Sequence, residues 1–286
     1  MPQISCEEVA RRFCGNERLT FIKPVGSGSF KETFLVETGS RELLALKVYK
    51  PGSSSERSNR EIEAMRRCSH DNIAKLYNTT AFEVNDGEYL ISLEEFLPGG
   101  TLTNRVAERG PLTAMETRQI GQSLINALAH IAVLGLVHRD LKPDNVMFRS
   151  DRLTPVIVDF GLVRDLNAIS LTQTWLIRGP GTPLFAPAEQ LLNQKAMIDW
   201  RADQFSLAVS LSIATFGFHP YSEPMDLPPA IVDRVAIRGA LSTRFRAAAE
   251  QSNLAALITM AEPWPVRRFR TPADLAGAWS AQTERS

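Results

Sequence analysis

The chain has 286 residues, of which 44% are hydrophobic and 22% charged, a composition typical of a globular protein with a substantial core. Lysine plus arginine and aspartate plus glutamate are balanced at 32 each, so no overall charge favours nucleic acid or a membrane as a partner. No apolar run approaches the roughly 20 residues of a membrane span, and the N-terminus lacks the features of a signal peptide. Cys6, Cys14 and Cys68 form no close metal-ligand pair, so we expect reduced thiols in a cytoplasmic protein.

Residues 1–18 begin with a helix signal. Ser5 precedes Glu7 and Glu8 in a capping-box pattern, and Val9 and Phe13 follow at a spacing of four residues. This pattern predicts a short helix that packs on the domain behind it. A docking element for a partner is the alternative.

Strand patterns follow from residue 19 to residue 49. A hairpin containing Gly26 and Gly28 would let backbone N–H groups approach phosphates without obstruction by side chains, although many tight hairpins contain two glycines. Lys47 lies in an otherwise apolar strand, where a lysine needs an anionic partner or an exit to solvent. A lysine that reaches solvent from an edge strand is the alternative interpretation.

Further along, residues 59–68 form a helical pattern, and residues 81–97 predict two strands joined at a turn over residues 85–87. Pro98, Gly99 and Gly100 break the composition and mark the predicted domain boundary. The remaining chain is mostly helical, with predicted helices over residues 113–134, 200–216, 226–240, 244–260 and 273–281.

One stretch, residues 137–164, contains most of the chemistry. An eight-residue motif runs from His138 to Asn145, and Asp159-Phe160-Gly161 follows a short β-branched strand. Phosphoryl transfer needs a carboxylate to orient the attacking hydroxyl, cations near the moving phosphate and oxygen ligands for magnesium, and this stretch contains each of them. Two unrelated polar loops are the alternative, which the length of the match disfavours.

These motifs, in this order over about residues 20–278, resemble the eukaryotic-type (Hanks-type) protein kinases, and the departures described below are typical of a bacterial serine/threonine kinase. The resemblance implies an α+β, two-lobed protein kinase fold, in which a small antiparallel β-sheet lobe with one main helix precedes a larger, mostly helical lobe. The expected divisions are an N-terminal helical extension over residues 1–18, a small lobe over 19–97 and a large lobe over 98–286, with the catalytic domain at about 19–280.

The resemblance also assigns roles in catalysis. Asp140 would accept the proton of the substrate hydroxyl, and Lys142, in the serine/threonine-kinase form of the loop, would neutralise charge on the γ-phosphate. Asn145 and Asp159 would hold magnesium, with manganese as another usable ion.

For ATP, the resemblance implies that Lys47 holds the α- and β-phosphates and pairs with Glu61, which is preferred to Glu63 by its offset from His70. The complete set expected to bind the nucleotide is Val25, Gly26, Ser27, Gly28, Ser29, Phe30, Thr33, Ala45, Lys47, Glu95 and Leu97.

Other residues would have structural or regulatory roles. Asp203 would hold the backbone around His138 and Arg139, Phe160 and Gly161 belong to the second motif, and Glu189 would pair with Arg268 or with Arg267. Arg139, next to the catalytic aspartate, indicates control by activation-loop phosphorylation. The expected autophosphorylation sites are Thr172 and Thr174.

Several positions depart from the family pattern. Lys31 replaces the usual third glycine, and Thr33 replaces the usual valine over the adenine. Pro187-Ala188-Glu189 stands where Ala-Pro-Glu is expected. Glu94 falls at the gatekeeper position, normally apolar, where it would bond Lys47 or the adenine amine. A register shift of one residue would place Leu93 there instead.

The predicted function is that of an ATP-dependent serine/threonine protein kinase, with protein substrates and self-association for trans-autophosphorylation. One alternative is a pseudokinase that acts as a binding scaffold, although Lys47, Glu61, Asp140, Asn145 and Asp159 are all present. The other alternative is a kinase of small molecules. No nucleic-acid or membrane partner is expected.

Overall fold

Alternating apolar residues in the first hundred positions form an antiparallel sheet, and most of the remaining chain is helical. The computed structural model describes residues 4–28, 30–50, 55–84, 87–160, 164–165 and 183–283. Of these residues, those within Met1–Ser69 and Ala74–Pro98 belong to a small unit, and those within His70–Ile73 and Gly99–Ser286 belong to a large unit.

The small unit is built on a sheet with strand order β1-β2-β3-β5-β4, in which the pairs between neighbouring strands are antiparallel. Two helices accompany it in the described residues. The elements are α1 (Cys6–Glu17), β1 (Thr20–Ser27), β2 (Lys31–Glu37), β3 (Leu43–Tyr49), α2 (Ser55–Arg67), β4 (Leu76–Val84) and β5 (Gly87–Glu95).

Helix α1 belongs to the core of the small unit. The Ser5 hydroxyl caps the helix by accepting the N–H of Glu8 at 3.2 Å. Val9 and Phe13, one turn apart, are buried against apolar residues of the sheet, and the Phe13 ring lies edge-on to Phe82 at 5.3 Å. The helix predicted over the first residues therefore packs on the domain.

The large unit contains the remaining elements. They are α3 (Leu102–Arg109), α4 (Ala114–Val133), β6 (Leu136–Val137), β7 (Val146–Phe148), β8 (Pro155–Ile157), β9 (Arg164–Asp165), α5 (Ala188–Leu191), α6 (Arg201–Phe216), α7 (Pro228–Ala236), α8 (Thr243–Gln251), α9 (Ala256–Met260) and α10 (Pro272–Thr283). Strand β6 pairs with β9, and β7 pairs with β8. No helix in the described part of the chain is long and apolar enough to span a membrane.

Two long helices, α4 and α6, form the centre of the large unit. Leu124 and Leu128 of α4 are buried, and α6 is buried over most of its length, which explains its nearly uninterrupted apolar and small residues. Helix α10 packs on α4 at a close approach, where Trp279 lies against Gly121 and donates its indole N–H to the Arg118 carbonyl at 3.0 Å.

Two helix predictions in the large unit need correction. The helix predicted over residues 244–260 is broken into α8 and α9, because Asn253 adopts a φ of 54° and the N–H of Leu254 turns back to the Ala249 carbonyl at 2.8 Å. The helix predicted over 226–240 is the shorter α7, since it begins at Pro228 and Arg238, with a φ of 55°, turns the backbone out of the helix. Helix α3, capped by Thr101, was not predicted.

Candidate active site

The loop between β6 and β7 is held by a buried carboxylate. Asp203, near the start of α6, accepts the backbone N–H of His138 at 2.8 Å and that of Arg139 at 2.9 Å, so the carboxylate is bonded through both oxygens. Burial raises the pKa of Asp203, while the nearby His138 ring and these two N–H groups oppose the shift. Arg139 has a φ of 68°, a strained value for a residue with a side chain, and these bonds hold it there.

The His138 ring joins this loop to the segment after β8. The N–H of Asp140 points at Nδ1 at 3.3 Å, so the ring proton is on Nε2, which donates to the Val158 carbonyl at 3.1 Å. The Phe160 ring lies 4.9 Å from the His138 ring, edge to face. Asp159, the residue after Val158, has a φ of 64°. Because the His138 ring bonds the N–H of Asp140 and the carbonyl of Val158, one imidazole holds both segments that carry the carboxylates.

Asp140 is in contact with the polar side chains of Lys142 and Asn145. Lys142 Nζ is 3.3 Å from its Oδ2, and the Asn145 side-chain amide donates to the Asp140 carbonyl at 2.8 Å and to Oδ2 at 3.2 Å. Burial raises the pKa of Asp140. The neighbouring Lys142 and His138 counteract this shift, and the charge of Asp159 adds to it. A carboxylate with a raised pKa accepts a proton more readily than an exposed aspartate does.

The same residues fit a divalent metal. The Asn145 amide nitrogen is turned to Asp140, which leaves the amide oxygen as the available ligand atom, and the charge of Asp159 is close enough to affect Asp140. Carboxylate and amide oxygens are the ligands that magnesium prefers. The metal ligands expected from the sequence are therefore compatible with such an ion.

A buried ion pair holds α5, which follows the central loop, the loop between β6 and β7 that carries Asp140. Of the two predicted partners of Glu189, the structure shows Arg268, with Nη1 at 2.6 Å from Oε1 and Nη2 at 3.3 Å from Oε2. The neighbouring Gln190 donates its amide to the Arg139 carbonyl at 2.6 Å, which connects α5 to the loop that carries Asp140.

In the small unit, the glycine hairpin is closed by two contacts. The N–H of Gly28 donates to the Lys31 carbonyl at 2.9 Å, and Lys50 Nζ donates to the Gly28 carbonyl at 2.8 Å. Gly26 lies opposite Thr33 in the register of β1 and β2. The predicted residues Ser29, Gly161, Thr172 and Thr174 lie outside the described residues.

The other predicted nucleotide-binding residues occupy the sheet and its boundary. Val25 and Ser27 are exposed on β1, Phe30 precedes β2, and Thr33 lies opposite Lys47. Ala45, buried on β3, faces Glu94 of β5. Glu95 ends β5, its N–H bonded to the Lys75 carbonyl at 2.9 Å, and buried Leu97 lies just before the unit boundary.

The partner of Lys47 is not Glu61, as the family resemblance implied, but Glu94, which the sequence analysis gave as a possible partner. Among the described residues, the carboxylate in ion-pair contact with Lys47 belongs to Glu94, and Glu61 is paired with Lys31. The sheet register explains this, because Ala45 faces Glu94 and Lys47 faces Ser92, so Lys47 and Glu94 lie diagonally on one face. Leu93, opposite Leu46, belongs to the other face, so Glu94 and not Leu93 shares a face with Lys47.

Comparison with known proteins identifies the chain's family. A family model described as "Protein kinase domain" matches residues 19–257. The chain belongs to the protein kinase family. Its sheet-containing small unit and mainly helical large unit confirm the predicted α+β, two-lobed kinase fold. Membership implies the use of ATP and a divalent metal in general.

Individual kinases are similar over most of the chain. A probable myosin light chain kinase from Dictyostelium discoideum is 33% identical over 208 residues, 70% of this chain and 64% of that protein. The maternal embryonic leucine zipper kinase of Danio rerio is 30% identical over 231 residues, 78% of this chain and 32% of that one. A probable serine/threonine-protein kinase from Thermomonospora curvata is 30% identical over 205 residues, 70% and 26% of the two chains. The chain thus spans less than two thirds of these relatives.

Three side chains that contact predicted site residues or their neighbours were not singled out from the sequence. Ser92 donates to Glu94 at 2.8 Å, Gln190 donates to the Arg139 carbonyl, and Lys50 bonds the glycine hairpin. Ser92 precedes Glu94 by two residues on a strand, and this alternation would have placed both side chains on one face. Gln190 and Lys50 carry no comparable signal, since their partners are backbone carbonyls elsewhere in the chain.

Proposed function

We propose that this chain is an ATP-dependent protein kinase that transfers the γ-phosphoryl group to serine or threonine hydroxyls of proteins. The observation that carries the proposal is the arrangement of Asp140, Lys142 and Asn145 on one loop, with the loop backbone fixed by Asp203. A carboxylate, an ammonium group and an amide oxygen in this arrangement suit in-line phosphoryl transfer to a hydroxyl group.

Each group has a defined task in the reaction. Asp140 orients the substrate hydroxyl and accepts its proton, for which its raised pKa is suited. Lys142, beside Asp140, stabilises negative charge that develops on the transferred phosphoryl group. Asn145 and Asp159 hold Mg²⁺, or Mn²⁺ in its place, which supplies charge neutralisation of the phosphate oxygens.

The nucleotide is held by the small unit. Backbone N–H groups of the hairpin that contains Gly26 and Gly28 cover the phosphates, and Lys47 binds the α- and β-phosphates. Backbone groups of Glu95 and Leu97 bind the adenine.

Two features support protein substrates. Lys142 is the serine/threonine-kinase form of the loop, and the buried Glu189–Arg268 pair stabilises the segment that docks a peptide in this family. We propose that Thr172 and Thr174 are phosphorylated in trans by a second copy of this chain, and that Arg139 pairs with the added phosphate. Burial raises the pKa of the free thiols of Cys14 and Cys68 to about 11, which keeps them protonated. We also propose a cytoplasmic location.

The test incubates the protein with Mg²⁺ and γ-labelled ATP, alone, with generic protein substrates and with a panel of aminoglycosides and choline. Label on protein serine or threonine, including Thr172 or Thr174 by mass spectrometry, supports the proposal. Label on a small molecule alone would favour the small-molecule kinase. ATP binding without transfer to any acceptor would favour a scaffold. Either of these last two results would overturn the proposed substrate class.

A further inference from the structure

Polar and charged side chains lie together on one face of the small unit's sheet. Alternation along β3 places Lys47 and Tyr49 on the same face, while Leu46 and Val48 belong to the apolar face covered by α1. Register pairs place Lys31 opposite Tyr49, and Ser92 opposite Lys47. The two lysines of this face are therefore two register positions apart, each with access to a different carboxylate.

The first carboxylate, that of Glu94, forms an ion pair with Lys47. Lys47 is 8% exposed and Glu94 is 2% exposed, so the contact between them is shielded from water. The second oxygen of Glu94 accepts the hydroxyl of fully buried Ser92 at 2.8 Å, which fixes the carboxylate plane. A charge-assisted bond in such surroundings is stronger than the same bond at a surface.

The second carboxylate, Glu61 on α2, is paired with Lys31 of β2. The Lys31 ammonium lies 5.5 Å from the centre of the Tyr49 ring, within the range of a cation–π interaction. Lys31 is thus held by a carboxylate and by an aromatic face, and this pair joins α2 to the sheet. Glu61 is 3% exposed, so its charge also needs the partner that Lys31 supplies.

We infer that Glu94 is the positioning residue of Lys47 in this protein, and that Glu61 acts with Lys31 to anchor α2. The inference rests on the proposed function, because Lys47 is positioned for the phosphates of ATP. A lysine has three N–H donors, so Lys47 bonded to Glu94 retains donors for phosphate oxygens. Glu94 acts only through Lys47 and does not itself contact the reacting atoms.

The first test compares two matched variants, Glu94→Gln and Glu61→Gln, which make the same chemical change at two buried carboxylates. Loss of the carboxylate that orients Lys47 should raise the KM for ATP and lower kcat, reducing kcat/KM by about 10- to 100-fold, the range for a lost hydrogen bond to a charged group. The loss of kcat/KM caused by Glu61→Gln should be at least several-fold smaller than the loss caused by Glu94→Gln. Glu94→Asp should recover part of the loss, and exposed Glu63→Gln on α2 is the control.

The second test does not depend on catalysis. The purified protein, without nucleotide, is treated at one fixed pH with an amine-selective acylating reagent, and modification of each lysine is followed by mass spectrometry. Glu94→Gln should increase the modification rate of Lys47 several-fold and leave Lys31 unchanged. Glu61→Gln should increase modification of Lys31 and leave Lys47 unchanged. The opposite pattern would overturn the inference.

A third variant covers the case in which Glu94→Gln does not fold. Lys31→Met removes the partner of Glu61 and should leave the modification rate of Lys47 as in the wild type. A changed rate at Lys47 would mean that Glu61 competes for it, which contradicts the inference. If the labelling pattern is as expected but the wild type transfers no phosphate, the proposed function fails while the pairing stands.

Discussion

Arg268 and Glu189 form an ion pair in which neither side chain is exposed to solvent. The remaining N–H groups of the guanidinium donate to the carbonyls of Glu262, Arg201 and Pro263, at 2.7, 3.0 and 3.3 Å. With Glu189 these partners satisfy all five donors of the arginine. The pair thus joins α5, the start of α6 and the segment before α10, which are distant in sequence.

We expect Glu189→Gln to destabilise the protein by about 3–5 kcal/mol, because it leaves a buried arginine without its counter-charge. Urea unfolding, followed by circular dichroism, measures this change. The control is Glu250→Gln, at an exposed position of α8, which should alter stability by less than about 0.5 kcal/mol. Equal effects of the two substitutions would contradict the importance given to the buried pair.

The contact of Gly121 with Trp279 predicts a second effect on stability. A Cβ at Gly121 would lie 2.1 Å from the Trp279 ring, so Gly121→Ala must displace the ring or separate α10 from α4. Overpacking of this kind typically costs about 1–3 kcal/mol.

Gly277→Ala is the matched control on α10, since nothing lies within 4 Å of a Cβ at that position. It should raise stability by about 0.5–1 kcal/mol through helix propensity. Thermal unfolding of both variants gives the comparison. A neutral or stabilising Gly121→Ala would show that α10 is not closely packed on α4 in solution.

The sequence was most informative where a local pattern determines structure. Thr113 and Glu116 form the capping box that starts α4, and the apolar spacing of that helix predicted its extent to within a residue at each end. The order of the kinase motifs then indicated the fold and the residues of the central loop, including the support of that loop by Asp203.

Other features depend on conformation or register that sequence patterns do not determine. The break between α8 and α9 depends on the left-handed conformation of Asn253. This residue lies inside a stretch whose apolar pattern predicted one continuous helix. The pairing of Lys47 depends on the register of β5 against β3, where a shift of one residue exchanges Glu94 for Leu93. Family resemblance gave the usual pairing with Glu61, and it gave no indication that Lys31 would compete for that carboxylate.

His219 predicts a dependence of stability on acid pH. The buried ring donates to the Leu184 carbonyl at 2.9 Å and accepts the Tyr221 N–H at 3.1 Å, and burial lowers its pKa from 6.5 to about 4. The folded protein therefore holds this ring neutral, and the full stability is present above pH 6.5. As the pH falls from 6.5 to about 4, the unfolded chain takes up a proton first and the free energy of unfolding decreases.

A shift of that size corresponds to a loss of roughly 3 kcal/mol. Urea unfolding at a series of pH values should show a shallower decline for His219→Gln than for the wild type, because glutamine does not titrate. Parallel curves for the two proteins would assign the acid sensitivity to other groups.

Lys142 predicts a shift in the pH dependence of catalysis. Its charge lowers the pKa of Asp140, while burial raises it, and Asp140 must be ionised to accept a proton. Lys142→Met should therefore move the acid limb of the kcat profile to higher pH, in addition to lowering the maximal rate. Steady-state rates from pH 5 to 8 measure the limb. A limb that does not move would assign it to a group other than Asp140.

The most direct test of the catalytic assignment compares Asp140→Asn with Asp144→Asn in transfer of labelled phosphate from Mg²⁺-ATP to a protein acceptor. Both substitutions remove one carboxylate from the same loop, but Asp140 is partly buried beside Lys142 whereas Asp144 is exposed. We predict that Asp140→Asn lowers kcat by about 100-fold or more and that Asp144→Asn remains close to the wild-type rate. Similar rates for the wild type and Asp140→Asn would contradict the assignment of the loop as the catalytic centre.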